Sequence, residues 1–194
     1  MASTNNIKCV VVGDDTIAQL QMIFRYSMGY DLPENTQHYP PPFRSSFSVD
    51  GMQTELEIWH TSNSDDHDFL RPLTYYFTGV FIIIFMVDSP PSFERVSSKW
   101  IPEIRRFCPE TPYVLVGVGT EARENNEIKE KLLKNYDRGC ITKEEGARKA
   151  EEIGARAYLE CSARKNQGLK EVFEGAARAA IIHMTMMLNQ TENV

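Results

Sequence analysis

The sequence has no apolar run long enough to cross a bilayer; its longest, residues 80–87, is the length of one strand. Positive charge is in short supply. The 21 lysines and arginines face 27 aspartates and glutamates, a net charge of −6. Nucleic acid and anionic membrane are therefore poor partners. Cysteine is sparse too: Cys9, Cys108, Cys140 and Cys161 share no metal-ligand or redox spacing. Cys9 and Cys161 lie in apolar runs and read as buried thiols of a reducing compartment. No basic-then-apolar leader opens the chain. No lysine or arginine follows Arg178, and no cysteine box closes the chain, so no lipid anchor is expected. The glycosylation triplet at Asn189 reads as chance without a secretion signal. A cytoplasmic location is expected, with other proteins as partners.

What is present suits one domain over residues 1–194, with a core over about residues 7–188. At 42% hydrophobic and 25% charged, the chain has an ordinary globular composition, and 194 residues can bury a single core. Residues 7–12 are a β-branched apolar run that suits a strand buried on both faces. From Thr16, the residues Ile17, Leu20, Ile23 and Phe24 recur at helical spacing, with Asp15 or Thr16 as N-cap. The stretch at 27–42 is irregular and ends in Pro40-Pro41-Pro42, which tends to polyproline II. Phe43, Phe47 and Val49, then Met52, Thr54, Leu56 and Ile58, alternate with polar residues around Asp50-Gly51, a hairpin signal.

Residues 60–68 are a polar loop, and a short helix is expected near 71–76. Residues 80–87 read as a central parallel strand. Residues 89–107 read as an amphipathic helix with Phe93, Val96, Trp100 and Ile104 on one stripe. A strand at 113–118 is followed by a charged segment with helical character around 127–133. Thr142 and Glu145 form a capping box, and Gly154 suits the end of that helix. The last strand is 157–161. The last helix, 168–188, turns Leu169, Val172, Phe173, Ala176, Ala180 and Met184 inward. Strands alternating with helices, plus one hairpin, predict an α/β fold: a six-stranded mixed sheet with helices on both faces. Ligands then bind beyond the strand carboxyl ends, at Gly13, His60, Asp88, Val118 and Ser162.

A strand, a tight loop and a helix N-terminus make a natural phosphate site. The usual pattern for that job is G-x-x-x-x-G-K-[ST]. Here Gly13 is kept, but Ala18, Gln19 and Leu20 stand at the later glycine, lysine and Ser/Thr positions.

The segments IKCVVVGD, VDG, LRPL, SPPSFERVSSKWIPEI, CPETPYVLVG and YLECSA together resemble a Rho/Rac-type small GTPase of the Ras superfamily, over about residues 7–180. The resemblance implies the Ras-like fold, with residues 121–137 as a Rho-type insert. It also implies GTP or GDP with magnesium as ligand, and regulators or effectors of that pathway as partners. The departures fall on the chemistry. The phosphate lysine aligns with Gln19 and the magnesium Ser/Thr with Leu20. The first-switch threonine aligns with His38. The D-T-A-G-Q segment aligns with His60, Thr61, Ser62, Asn63 and Ser64. The base-reading T-K-x-D aligns with Val118, Gly119, Thr120 and Glu121. Ser162 and Ala163 match the loop that touches the base.

Each lost charge-assisted contact is worth roughly 1.5–3 kcal/mol, so four cost about 6–12 kcal/mol. That is roughly four to nine decades of affinity. Asp15 adds a carboxylate where phosphates would lie. These losses predict a catalytically dead Rho-like protein, no enzyme, that acts as a constitutive protein-binding module without nucleotide or metal. The vestigial site would comprise Gly13, Asp15, Ala18, Gln19, Leu20, His38, His60, Asn63, Ser64, Gly119, Glu121, Ser162 and Ala163. The alternative is an atypical GTP-binding switch with GTP or GDP and magnesium, little GTPase activity, and rearranged contacts from Gln19, Glu121 and Ser162.

Two surfaces are candidates for partner binding. One is Tyr39, Pro40, Pro41, Pro42 and Phe43, either a stiff surface loop or an SH3-type ligand. The other is Leu70, Arg71, Pro72, Tyr75 and Tyr76, which matches the family's second-switch surface. The bland alternative is core packing under that loop. His38, His60 and His67 read as solvated loop residues rather than a metal cluster.

Overall fold

Each buried apolar run becomes a strand of one sheet in the computed structural model of the chain, which describes residues 4–33, 41–62 and 69–191. Among the described residues six strands form it: β1 (Asn5–Gly13), β2 (Phe43–Val49), β3 (Met52–His60), β4 (Val80–Met86), β5 (Tyr113–Val118) and β6 (Tyr158–Cys161). Their order is β2-β3-β1-β4-β5-β6. Only β2 and β3 pair antiparallel among them. Asp50 and Gly51 turn that hairpin with φ of 50° and 82°, the double left-handed geometry that a two-residue hairpin loop needs. The mixed sheet and its single antiparallel pair are as expected.

Helices cover both faces, so β1 and β4 are apolar on both. On one face Cys9 and Val11 pack with residues of α1 (Thr16–Met28) and α6 (Leu169–Thr191). On the other, Val10 and Val12 pack with Phe93, Trp100, Ile104 and Ile153. These come from α2 (Pro90–Arg95), the segment behind it, α3 (Ile101–Phe107) and α5 (Lys143–Ile153). The remaining helix, α4 (Asn126–Tyr136), follows β5. The capping box at Thr142 and Glu145 is present, and Gly154 ends α5 at φ 76°.

Three details differ from the sequence pattern. The expected helix at 89–107 is interrupted by a π turn over Val96–Trp100, where the Ile101 N–H bonds the Val96 carbonyl five residues back. Pro102 follows directly and has no N–H to continue the ordinary ladder. The expected helix near 71–76 is a single 3-10 turn, Arg71–Tyr75. Met184 was expected inward but is 38% exposed, and Ile182, Met186, Met187 and Leu188 are exposed as well. Buried side chains of α6 end at Ile181, so its last turns pass beyond the core. Among the described residues no helix is long and apolar enough to cross a membrane.

Candidate functional site

The carboxyl ends of the parallel strands meet at one edge, and α1 starts there. Gly13 closes β1 against β4. A Cβ at that position would lie 2.4 Å from Ile84 Cγ1, so only glycine fits. Asp15 is the N-cap of α1, and its Oδ1 accepts from the Ala18 amide at 2.9 Å. Gln19 is fully buried. Its Nε2 donates to the Gly13 carbonyl at 3.0 Å, and its Oε1 accepts from the Thr61 amide at 3.1 Å. An amide can make both bonds at once; a lysine could only donate. Thr61 Oγ1 in turn donates to the Val11 carbonyl at 2.9 Å. From outside, Asp14 accepts from Trp100 Nε1 at 2.7 Å and pairs with Arg95 at 3.2 Å. The loop is thus held on three sides by the protein's own groups.

Leu20 is buried in the core beside Ile23 and Phe24. His60 ends β3, in register with Val11. Among the described residues no group of three His, Cys, Asp or Glu side chains is placed to hold a metal. Of the aligned positions, Leu20 is apolar and Gln19 Oε1 already accepts from Thr61, so neither offers magnesium a free hard-oxygen ligand. His38, Asn63, Ser64 and His67 lie outside the described residues.

Beside the loop, a cavity of about 340 Å³ opens between α1 and the loops after β4, β5 and β6. Of the expected site residues it is lined by Ala18, Gly119, Glu121 and Ala163, but not by Gly13, Asp15, Gln19, Leu20, His60 or Ser162. Gly119 sits at φ 76° and bends the chain into a 3-10 turn, Thr120–Glu124. Its N–H donates to the Cys161 carbonyl at 3.0 Å. That bend brings Glu121 to the cavity wall. Glu121 Oε2 is buried and has no hydrogen-bond partner, while Oε1 lies 3.9 Å from Arg164 Nε.

Ser162 acts behind the wall. Its Oγ accepts from the Lys165 amide at 2.9 Å, and its backbone exchanges two hydrogen bonds with Gln167. This folds the turn that presents Ala163 and Arg164. The sequence reading missed Asp31, Asn125 and Arg164 in the lining, and named Asp88 only as a strand carboxyl end. For Asp88 there was one signal, its place just past the most hydrophobic strand. Burial pushes the Asp88 carboxyl above its ordinary value, and the charges of Glu121 and Asp15 push it the same way.

The partner-binding candidates divide. Tyr39 and Pro40 lie outside the described residues; Pro41 and Pro42 are half-buried. Phe43 is buried edge-on to Phe24, with centroids 5.4 Å apart, and is no surface residue. Arg71 and Tyr75 are also buried, as the core-packing alternative has it, and are no surface residues. Arg71 Nε donates to Glu103 Oε1 at 2.8 Å and its Nη1 to the Ser62 carbonyl at 3.1 Å; the Tyr75 hydroxyl donates to Glu103. Burial, with the Glu103 carboxylate alongside, raises the Tyr75 phenol well above its ordinary value. Leu70 and Tyr76 are exposed as expected, and Pro72 is half-buried. Their neighbours Phe69, Leu73 and Phe77 are exposed as well.

Comparison with known proteins bears on the ligand. The model of the Ras family matches residues 8–182. The chain is 40% identical to "GTP-binding protein rho1" of Schizosaccharomyces pombe over 185 residues, covering 94% of this chain and 90% of that protein. These findings overturn the expectation of a dead, non-enzymatic module that takes neither nucleotide nor cofactor. That expectation summed lost phosphate contacts as if they were the whole of recognition, and left out the cavity beside α1. The alternative, a GTP-binding switch, agrees better with both matches. The chain belongs to the Ras family of small GTPases, and within it resembles a Rho protein.

Proposed function

We propose that this chain is a Rho-type GTP-binding signalling protein and that the cavity beside α1 holds the guanine base. The observation that carries this is the buried, unpartnered Oε2 of Glu121. Guanine presents two adjacent N–H donors, and a carboxylate offers two acceptor oxygens at matching spacing. Leaving a buried carboxylate oxygen unpaired is costly, and a ligand donor removes that cost. Ala163 forms a wall for the base, and Arg164 Nε lies 3.9 Å from the other Glu121 oxygen. Gln19 and Asp14 keep the loop in place at the phosphate end. Bound GTP supplies the phosphoanhydride bond whose cleavage is the family's activity.

The protein-facing surface we propose is the apolar cluster of Phe69, Leu70, Leu73, Tyr76 and Phe77. Phe77 is 95% exposed and sits at φ 60°, a strained combination that suits a contact residue. Regulators and effectors of a cytoplasmic Rho-type pathway are the proposed partners, with residues 121–137 as the Rho-type insert of a single domain.

The test is the nucleotide content of the native protein by ion-exchange chromatography, with melting scans in GDP and GTP. A ligand at 100 times its Kd stabilises by about 2.7 kcal/mol, a rise of roughly 5–11 °C for a chain of this size. Glu121→Ala is expected to abolish the rise, and phosphate release in the same samples reads hydrolysis. An empty protein whose melting temperature ignores guanine nucleotides refutes the proposal.

A further inference from the structure

We infer, resting on the guanine reading above, that Asp88 is a second base-reading residue: it enters the complex as the neutral acid and donates its O–H to the acceptor edge of guanine, while Glu121 takes the donor edge.

Guanine presents two kinds of edge. Its N1–H and exocyclic amino group donate, and the neighbouring O6 and N7 accept. An ionised carboxylate only accepts, so Glu121 serves the first edge and leaves the second unread. Of the nitrogen- and oxygen-bearing side chains in the described lining, Gln21, Asp31, Asn125 and Arg164 are exposed, and only Asp88 and Glu121 are half-buried. These two form the polar part of the inner wall. They come from neighbouring strand ends: the Val87 N–H donates to the Val118 carbonyl at 3.0 Å, and Asp88 and Gly119 follow directly. Gly119 adds no side chain to that wall. Where its Cβ would stand, only Met86 Cε lies within 4 Å, at 3.2 Å. The way from Asp88 to the cavity is therefore open.

Two carboxyls sharing a half-buried wall do not both ionise at low cost. Facing Asp88 are the carboxylates of Glu121, from the turn after β5, and Asp15, from the N-cap of α1. The Cys140 thiol, ahead of α5, lies within reach of the Asp88 charge. The cation facing it is Lys131 of α4, which is exposed. Burial, then the two carboxylates, raise the Asp88 carboxyl; its own amide and Lys131 oppose them and do not prevail. Glu121 has Arg164 Nε at 3.9 Å, so the negative charge is better placed there. A base that excludes water from the wall then keeps the proton on Asp88, and a protonated carboxyl has one O–H to donate. Adenine carries an amino group where guanine carries O6, so it would set donor against donor.

Isothermal titration with GDP in magnesium tests this, from about pH 6.5 to about pH 8.5, each pH in two buffers of different ionisation enthalpy. The wild type is expected to take up as much as about one proton per GDP, and its affinity to fall about tenfold across the range. Asp88→Asn keeps a donor and cannot titrate. It is expected to match the wild type at the acid end and to change less than about threefold across the range. ADP is expected to bind both at least about tenfold more weakly than GDP. Equal pH profiles for the two proteins, or an Asp88→Asn affinity about tenfold weaker at the acid end, overturn the inference and leave guanine binding standing. If the variant does not fold, proton uptake by the wild type decides, and its absence overturns the inference. If GDP binds the wild type at no pH, the guanine reading itself fails and takes this inference with it.

Discussion

Replacing Gln19 by leucine removes the bridge across the loop while keeping the side chain's bulk. Two buried partners are then left over: the Thr61 N–H, in a residue that is itself buried, and the Gly13 carbonyl. An orphaned buried donor costs about 1–3 kcal/mol. The carbonyl has a second lone pair and belongs at the low end, about 1 kcal/mol. The expected loss is therefore about 2–4 kcal/mol, which for a chain of this size lowers the melting temperature by roughly 4–16 °C. Urea denaturation in the absence of nucleotide measures it, and amide hydrogen exchange at Thr61 locates it. Gln19→Leu should speed exchange there far more than in β4 or β5. A change under about 0.5 kcal/mol, the range of ordinary surface substitutions, would refute the bridge as a structural device.

Other outcomes follow from the buried polar groups. Glu103→Ala leaves the Arg71 guanidinium buried without its main counter-ion and should cost about 3–5 kcal/mol in urea titrations; the double variant Arg71→Met with Glu103→Leu should recover much of that. For Glu160, burial pushes the carboxyl up, but hydrogen bonds from Arg123 and Tyr158 outweigh it and hold it below the ordinary value of 4.5. A carboxyl depressed in the folded state stabilises fully above its unfolded pKa and loses that contribution as pH falls through the folded one. Unfolding free energy measured from pH 6 downward should therefore drop below about pH 4.5 in the wild type and drop less in Glu160→Gln. At pH 7 the same variant should already be less stable, by roughly 1.5–3 kcal/mol.

Much of the fold was legible because it rests on periodicity and local chemistry. The β-branched run at 7–12, the Asp50-Gly51 turn and the Thr142–Glu145 box each act within a few residues, so their outcome is written locally. The π turn before Pro102 was less legible, since apolar spacing is the same for both kinds of helix turn. Burial of Arg71 and Tyr75 was legible only as an alternative to exposure. It depends on Glu103, 32 and 28 residues away along the chain.

At the site, residue types alone showed that the phosphate loop lacks its lysine and its Ser/Thr, and no fold could change that. They could not show what Gln19 does instead, because its partners, Gly13 and Thr61, meet only when β1 and β3 pair. Nor could they show the cavity. Its walls come from α1 and from loops after three strands, and the unpaired oxygen of Glu121 becomes buried only when Gly119 turns the chain inward. Which groups are absent is a property of the sequence. Which of those present are already satisfied, and which still want a partner, is decided by long-range packing.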